Sequence, residues 1–198
     1  MFKNKFFLII FALAVLGILV YSLNTGSSKS AKKDYVSERK SLDENLKNDA
    51  NSPLEDKSLF TGLKYFEPDS NFIQIADYQA VSEAEAINFM TTDGSKGELK
   101  KVMKATFSLG GKTFTVGIFQ EGENFFLPFR DLTNDKETYG GGRYINIPAA
   151  NVKGSKIEID FNEAHNFYCA YNHTYVCPVP PPENLIDFEI RSGEKNLK

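Results

Sequence analysis

Tryptophan is missing from this chain, and cysteine and histidine number two each among 198 residues. Two cysteines and two histidines exclude a multi-zinc module. A basic excess is also lacking. Lys and Arg total 23 against 26 Asp and Glu, for a formal charge of −3. Setting aside Lys3 and Lys5, which precede an apolar run, leaves 21 cations against those 26 carboxylates, a body at −5. Such a body lacks the basic stripe that nucleic-acid binding requires, so no nucleic-acid partner is expected. No internal repeat, Gly-rich phosphate loop, GxSxG elbow or CxxC pair occurs, so no cofactor is implied. What is present is an ordinary globular composition, 41% hydrophobic and 25% charged, with 17 Phe and 9 Tyr to fill a core.

Residues 6–23, FFLIIFALAVLGILVYSL, hold no charge over 18 positions. As a helix they would reach about 27 Å, close to a hydrocarbon core of ~30 Å. The run is long for the apolar part of a cleaved signal, no A-x-A site follows it, and no cysteine stands near its end for lipidation. Residues 1–23 therefore read as a retained signal-anchor, with the membrane as partner through residues 6–23. Lys29, Lys32, Lys33, Arg39 and Lys40 on its far side oppose the positive-inside count. A short Lys-bearing N-terminus held inside, with the body exported to the periplasm or cell surface, is nonetheless the commoner arrangement. Residues 24–33, NTGSSKSAKK, read as a flexible tether. Residues 34–51 read as a short charged helix, a solvated spacer with Val36, Leu42 and Leu46 on a loose stripe.

From residue 52 to 194 the pattern is that of strands. Met103, Ala105, Phe107 and Leu109 alternate with polar neighbours, Gly110-Gly111 follows, and Phe114, Val116 and Ile118 resume the alternation. Two glycines between alternating runs predict a hairpin whose turn needs positive φ twice. Gly122 marks a further turn before residues 124–129. Other strands are expected over Phe72–Tyr78, Ile87–Thr91, Arg143–Ile147, Lys156–Phe161 and Leu185–Ile190. Short spacings without long intervening helices disfavour crossover topology. The fold class expected is mainly β: one antiparallel barrel or sandwich of about eight strands, preceded by the transmembrane helix and the short soluble one, with residues 195–198 as a tail.

Three stretches are too specific to be scaffold alone: PFRDLTNDKETYGGGRYINI (128–147), DFNEAHNFYCAYNHTYVCPVPPPEN (160–184) and IRSGE (190–194). With SPLEDKSLFTGLKYFEPD upstream, they resemble the family of proteins known as domain of unknown function 1684. The resemblance runs over most of the body, Ser52 to Glu194. It implies an exported or membrane-tethered bacterial protein and supplies no activity. His165, Phe167 and Ser192 depart from the family pattern, which usually has Tyr, Pro and Ala there.

Arg130, Asp131, Glu137, Thr138, Tyr139 and Arg143 permit a polar pocket in which two guanidiniums grip a small anionic ligand, with Gly140-Gly141-Gly142 offering backbone N–H groups. They equally permit mutual pairing, Arg130 with Asp131 or Glu137, with the glycines serving a tight turn. Tyr144, Asp160, Asn162, Glu183 and Asn184 complete the candidate site. His165, Cys169, His173 and Cys177 recur every four residues, but on one straight helix the outer pair would stand ~18 Å apart, beyond one metal's reach, so no metal site is expected. A Cys169–Cys177 disulfide ranks ahead of two buried thiols. It needs Cα atoms within ~7 Å, hence a loop or turn between them. Asp160 with Glu163, or Glu183 with Asp187, could serve as paired carboxylates, and PVPPP (178–182) reads as a rigid connector. The leading expectation is a membrane-anchored extracytoplasmic β domain with an Arg-lined binding or structural site. The alternative is a hydrolase using a carboxylate or Cys there, and a third is an interaction protein marked by an exposed apolar patch.

Overall fold

Strand alternation dictates the body's shape. The computed structural model describes residues 33–197, with the backbone alone at residues 82–85. The expected anchor at residues 6–23 and the tether up to residue 32 lie outside the described residues, as does Lys198. Among the described residues no helix is long and apolar enough to cross a membrane.

Seven strands form one hydrogen-bonded path: β1 (Ile73–Met90), β2 (Lys96–Leu109), β3 (Lys112–Glu121), β4 (Asn124–Asp131), β5 (Arg143–Ile147), β6 (Val152–Lys153) and β7 (Lys156–Asp160). Their order is β5-β4-β3-β2-β1-β7-β6, antiparallel at every step. The sheet curls into a half-barrel instead of closing or splitting into a sandwich, because β5 and β6 end the path without pairing to one another. In β2 the buried positions are 101, 103, 105, 107 and 109, the period-two face read from the sequence. Phe107, Phe129 and Phe161 pack with Ile145, Ile147, Ile157 and Ile159 in the hollow of the curl. Gly110 and Gly111 take φ +58° and +77°, as the hairpin turn demands, and Leu109 faces Lys112 across it.

Three expectations change. The strands foreseen at Phe72–Tyr78 and Ile87–Thr91 are one 18-residue β1, whose pairing to β2 slips between Ala80 and Glu85. A bulge of this kind bends a strand without ending it, so one long strand reads as two. The strand foreseen at Leu185–Ile190 keeps only β8 (Leu185–Ile186), which lies parallel to β4 at Arg130 and Asp131. Beyond it, Ile190 O and Ile190 N are taken by side chains of the buried network described below. The helix foreseen at 34–51 spans α1, Tyr35–Asn48, and its apolar stripe is not what holds it. Val36 is 74% exposed and Leu42 40%, and only Leu46 is buried, with Leu54, Phe60, Leu63 and Tyr171. Polar pins fasten α1 instead. Tyr35 Oη donates to Asp160 Oδ2 at 2.6 Å, Arg39 donates to Phe66 O at 3.1 Å and Asn162 O at 3.3 Å, and Asp43 Oδ1 accepts from Leu63 N at 3.0 Å.

Candidate functional site

Arg130 and Asp131 are consecutive in β4, so the pleat sends their side chains to opposite faces. Asp131 points inward with Phe129. Arg143, on the adjacent β5, is fully buried over the Phe129 ring, 5.3 Å from its centroid. Its Nη2 donates to Asp131 Oδ2 and Ile190 O, both at 2.7 Å, and its Nη1 donates to Ser192 O and, at 3.3 Å, to Glu194 O. The other oxygen of Asp131 accepts from Thr133 N at 2.8 Å, Thr133 Oγ1 at 2.6 Å and Ile190 N at 3.3 Å. Burial draws the guanidinium's pKa down, and the carboxylate beside it opposes that. A buried charge survives only when so enclosed by partners.

Arg130, on the other face, reaches 3.9 Å from Asp135 and keeps 43% of its side chain exposed. The two guanidiniums do not converge, and the Arg130/Arg143 anion clamp that the sequence permitted does not form. Neither Arg130 nor Glu137 pairs with Asp131. Glu137 accepts from Arg191 Nε at 2.8 Å at the surface. Thr138 exchanges a hydrogen bond with Thr133 at 2.8 Å. Gly142 N donates to Tyr139 O at 3.1 Å, and Gly142 sits at φ +97° with the position of any Cβ only 2.7 Å from Phe129 O. Gly141 lies against the Tyr139 ring. The glycine triplet builds a tight turn, with no nest for a phosphate.

The remaining candidates are structural joints as well. Asp160 Oδ1 accepts from Asn162 N at 2.9 Å and Nδ2 at 2.8 Å. Asn162 bonds both backbone groups of Asp69, N at 2.9 Å and O at 3.0 Å, and accepts from Ser192 Oγ at 2.7 Å. Asn184 fills the gap where β3 and β4 part: its Oδ1 accepts from Gly117 N at 2.7 Å, and its Nδ2 donates to Gly117 O at 2.9 Å and Pro128 O at 2.7 Å. Proline has no N–H to offer a ladder, so a side-chain amide stands in for the missing strand contact. Glu183 stands 3.4 Å from the buried Lys101. Tyr144 Oη donates to Pro178 O, and its backbone exchanges two bonds of 3.0 Å with His165, covering the edge of β5.

Cys169 and Cys177 are both buried and both free thiols, so the expected disulfide is corrected to the second-ranked arrangement. The turn it called for does exist. A 3₁₀ turn over Tyr168–Ala170 and an Asx turn at Asn172 fold the chain back until Cys169 N lies 3.3 Å from Cys177 Sγ. Burial and the neighbouring thiol push Cys177 up to about 12, which leaves it protonated and a poor nucleophile. Burial and a hydrogen bond with Cys169 push the Tyr139 phenol up to about 12. His165 is drawn down by burial, its Nδ1 3.3 Å from Glu163 O, and His173 is exposed in the loop. Among the described residues no three His, Cys, Asp or Glu side chains are placed to hold a metal.

Sequence reasoning missed Glu194 as a site residue, although its IRSGE stretch stood out. Its carboxyl is fully buried, accepting from Asn166 N at 2.9 Å, Asn166 Nδ2 at 2.7 Å and Tyr171 Oη at 2.8 Å. Desolvation pushes it up to about 7 against the pull of those bonds and of Arg143. Also unforeseen is an open groove of about 780 Å³, floored by Phe72, Phe188 and Leu132 and rimmed by Glu67, Asp69 and Glu189. The scattered positions of these residues, 66–72, 112, 132 and 187–191, left no local pattern to find.

A family model described as protein of unknown function, DUF1684, matches residues 58–195. The chain belongs to the DUF1684 family. All three stretches singled out in the sequence fall within that match, so the buried seam and the groove are built from the DUF1684 region. The DUF1684 body is similar to the solution NMR structure of an uncharacterised protein of Haloarcula marismortui, at 30% identity and a TM-score of 0.65, covering 80% of this chain and 90% of that one. No curated protein matches.

Proposed function

We propose that this DUF1684 chain is a membrane-tethered, extracytoplasmic module that binds a small ligand in the Phe72/Phe188 groove, not at the arginines. The tether and the export rest on residues 6–23 and the short Lys-bearing segment before them. The binding reading rests on one contrast. Arg143, Asp131, Asp160, Asn162 and Asn184, expected to grip a ligand, spend their polar atoms on internal hydrogen bonds, whereas the groove is open, apolar-floored and, at about 780 Å³, within the range of small-molecule sites. The raised thiol of Cys177 weighs against the cysteine form of the hydrolase alternative, since a nucleophilic cysteine needs its pKa lowered.

Two measurements test this. Protease added to spheroplasts should digest the body, and protection in intact cells and spheroplasts alike reverses the topology. In the full-length chain held in uncharged micelles, a small-molecule screen read by NMR should yield hits that move the ring resonances of Phe72 and Phe188. Hits that move only resonances near Arg130, or none at all, remove the groove from consideration.

A further inference from the structure

We propose that the groove's ligand is an organic ammonium ion, a cation with an alkylated, apolar surface. This rests on the binding reading above and names its chemistry.

Four carboxylates line the groove, at Glu67, Asp69, Asp187 and Glu189, against two cations, Lys112 and Arg191. Both cations are already engaged. Lys112 Nζ lies 2.9 Å from Asp187 Oδ2, and Arg191 bridges Glu189 at 3.3 Å and Glu137 at 2.8 Å. That leaves Glu67 and Asp69 without a close ion pair among the described residues, with only the more distant field of Arg39 acting on Glu67, beside aromatic rings. Ring faces and carboxylates together attract a cation that is too poorly hydrated to prefer bulk water, which is the case for alkylated ammonium. The chain uses the same attraction on itself: the Lys195 ammonium sits 4.4 Å from the centroid of Phe66, the residue preceding Glu67.

The rim is fixed in place. Phe66 N donates to Gly193 O at 2.9 Å, and Asp69 is held at both its N and its O by the buried amide of Asn162. Asp69 then caps the 3₁₀ turn Ser70–Phe72 by accepting from Asn71 N at 2.8 Å, which holds the backbone that carries Phe72. The Phe188 ring lies so close over the Gly110 turn that a Cβ there would meet Cε2 at 2.2 Å. Both rings and both carboxylates therefore stand on anchored backbone before any ligand arrives, which lowers the ordering cost of binding.

Choline and its uncharged isostere 3,3-dimethyl-1-butanol, titrated into the full-length chain in maltoside micelles, separate the ideas. Choline should shift Phe72 and Phe188 resonances and bind about tenfold more tightly than the alcohol, with added salt weakening choline alone. Glu67→Gln and Asp69→Asn, the latter retaining the cap, should each weaken choline about fivefold and leave the alcohol unmoved. Equal binding of the two probes overturns the ammonium class while the groove stands. Silence from both at Phe72 and Phe188 overturns the groove as well. Phosphatidylcholine added to the micelles distinguishes sources: competition with choline supports a lipid headgroup, its absence a free solute, and either keeps the ammonium chemistry.

Discussion

The seam between β4, β5 and residues 190–194 and the groove beside it share the same closing segment, yet they treat polar groups in opposite ways. In the seam the charged groups are buried and bonded internally: Arg143 meets Asp131 and three carbonyls through its Nη atoms, and Glu194 accepts from Asn166 and Tyr171. In the groove Glu67 and Asp69 form no close ion pair among the described residues, Arg39 acting on Glu67 only from a distance, and they stand beside partly open rings. A region whose charged groups are spent on internal bonds and closed to solvent offers little to a ligand. The seam locks the C-terminal segment to the sheet, and the groove is where binding capacity remains. This contrast separates polar residues that fold the chain from polar residues free to recognise something.

The seam's duty is broken most severely by removing one half of its ion pair. Asp131→Ala leaves a guanidinium buried without its carboxylate and should lower the unfolding free energy by roughly 3–5 kcal/mol in urea titrations. Replacing both members, as Asp131→Leu with Arg143→Met, should restore much of that loss, because two apolar groups leave no stranded charge. A loss below about 1 kcal/mol for the single change means that water enters the seam, and the contrast with the groove then collapses.

Next in size is a pH effect carried by Glu194. Its folded pKa is about 7, above the ordinary 4.5, so between those values the folded chain holds a proton that the unfolded chain has released. Stability must then fall as pH rises from about 4.5 to about 7, by roughly 3 kcal/mol in all. Urea midpoints across that range should decline in the wild type, and Glu194→Gln should remove this component of the slope. A flat profile in the wild type shows that Asn166, Tyr171 and Arg143 outweigh desolvation and keep the carboxylate charged.

The sheet was largely legible in the sequence because alternation and the Gly110-Gly111 turn are local signals. The bulge in β1 was not, since a slip in register leaves no compositional mark. Residues 186–190 alternate as a strand should, but Asp131 and Arg143 take the backbone N and O of Ile190 while Phe188 bonds within a local turn, and no local pattern reports that. The candidate site shows the same limit more sharply. Asp131 was correctly suspected of pairing, but with its sequence neighbours. The pleat turns Arg130 away and brings Arg143, twelve residues on, to face Asp131, while Glu137 goes to Arg191. Asn184 was singled out, yet its role as a substitute strand contact depends on how β3 and β4 diverge. Pairings across a sheet are decided by register, and register is a property of the assembled fold.

The smallest expected effect sharpens the contrast from the groove's side. Leu132 follows β4 directly, one residue beyond Asp131, and is 42% exposed on the groove floor. Only its backbone takes part in the fold's bonding, with its N donating to Phe188 O at 3.1 Å. Leu132→Ser should therefore leave stability within about 0.5 kcal/mol, the usual range for a surface change away from special features. Against the several kcal/mol predicted for its immediate neighbour, that near-neutrality would show two consecutive side chains with separate duties, one to folding and one to the open floor. A stability loss above about 1 kcal/mol would mean that Leu132 supports the core, and the groove would then be a surface expression of packing with no independent role.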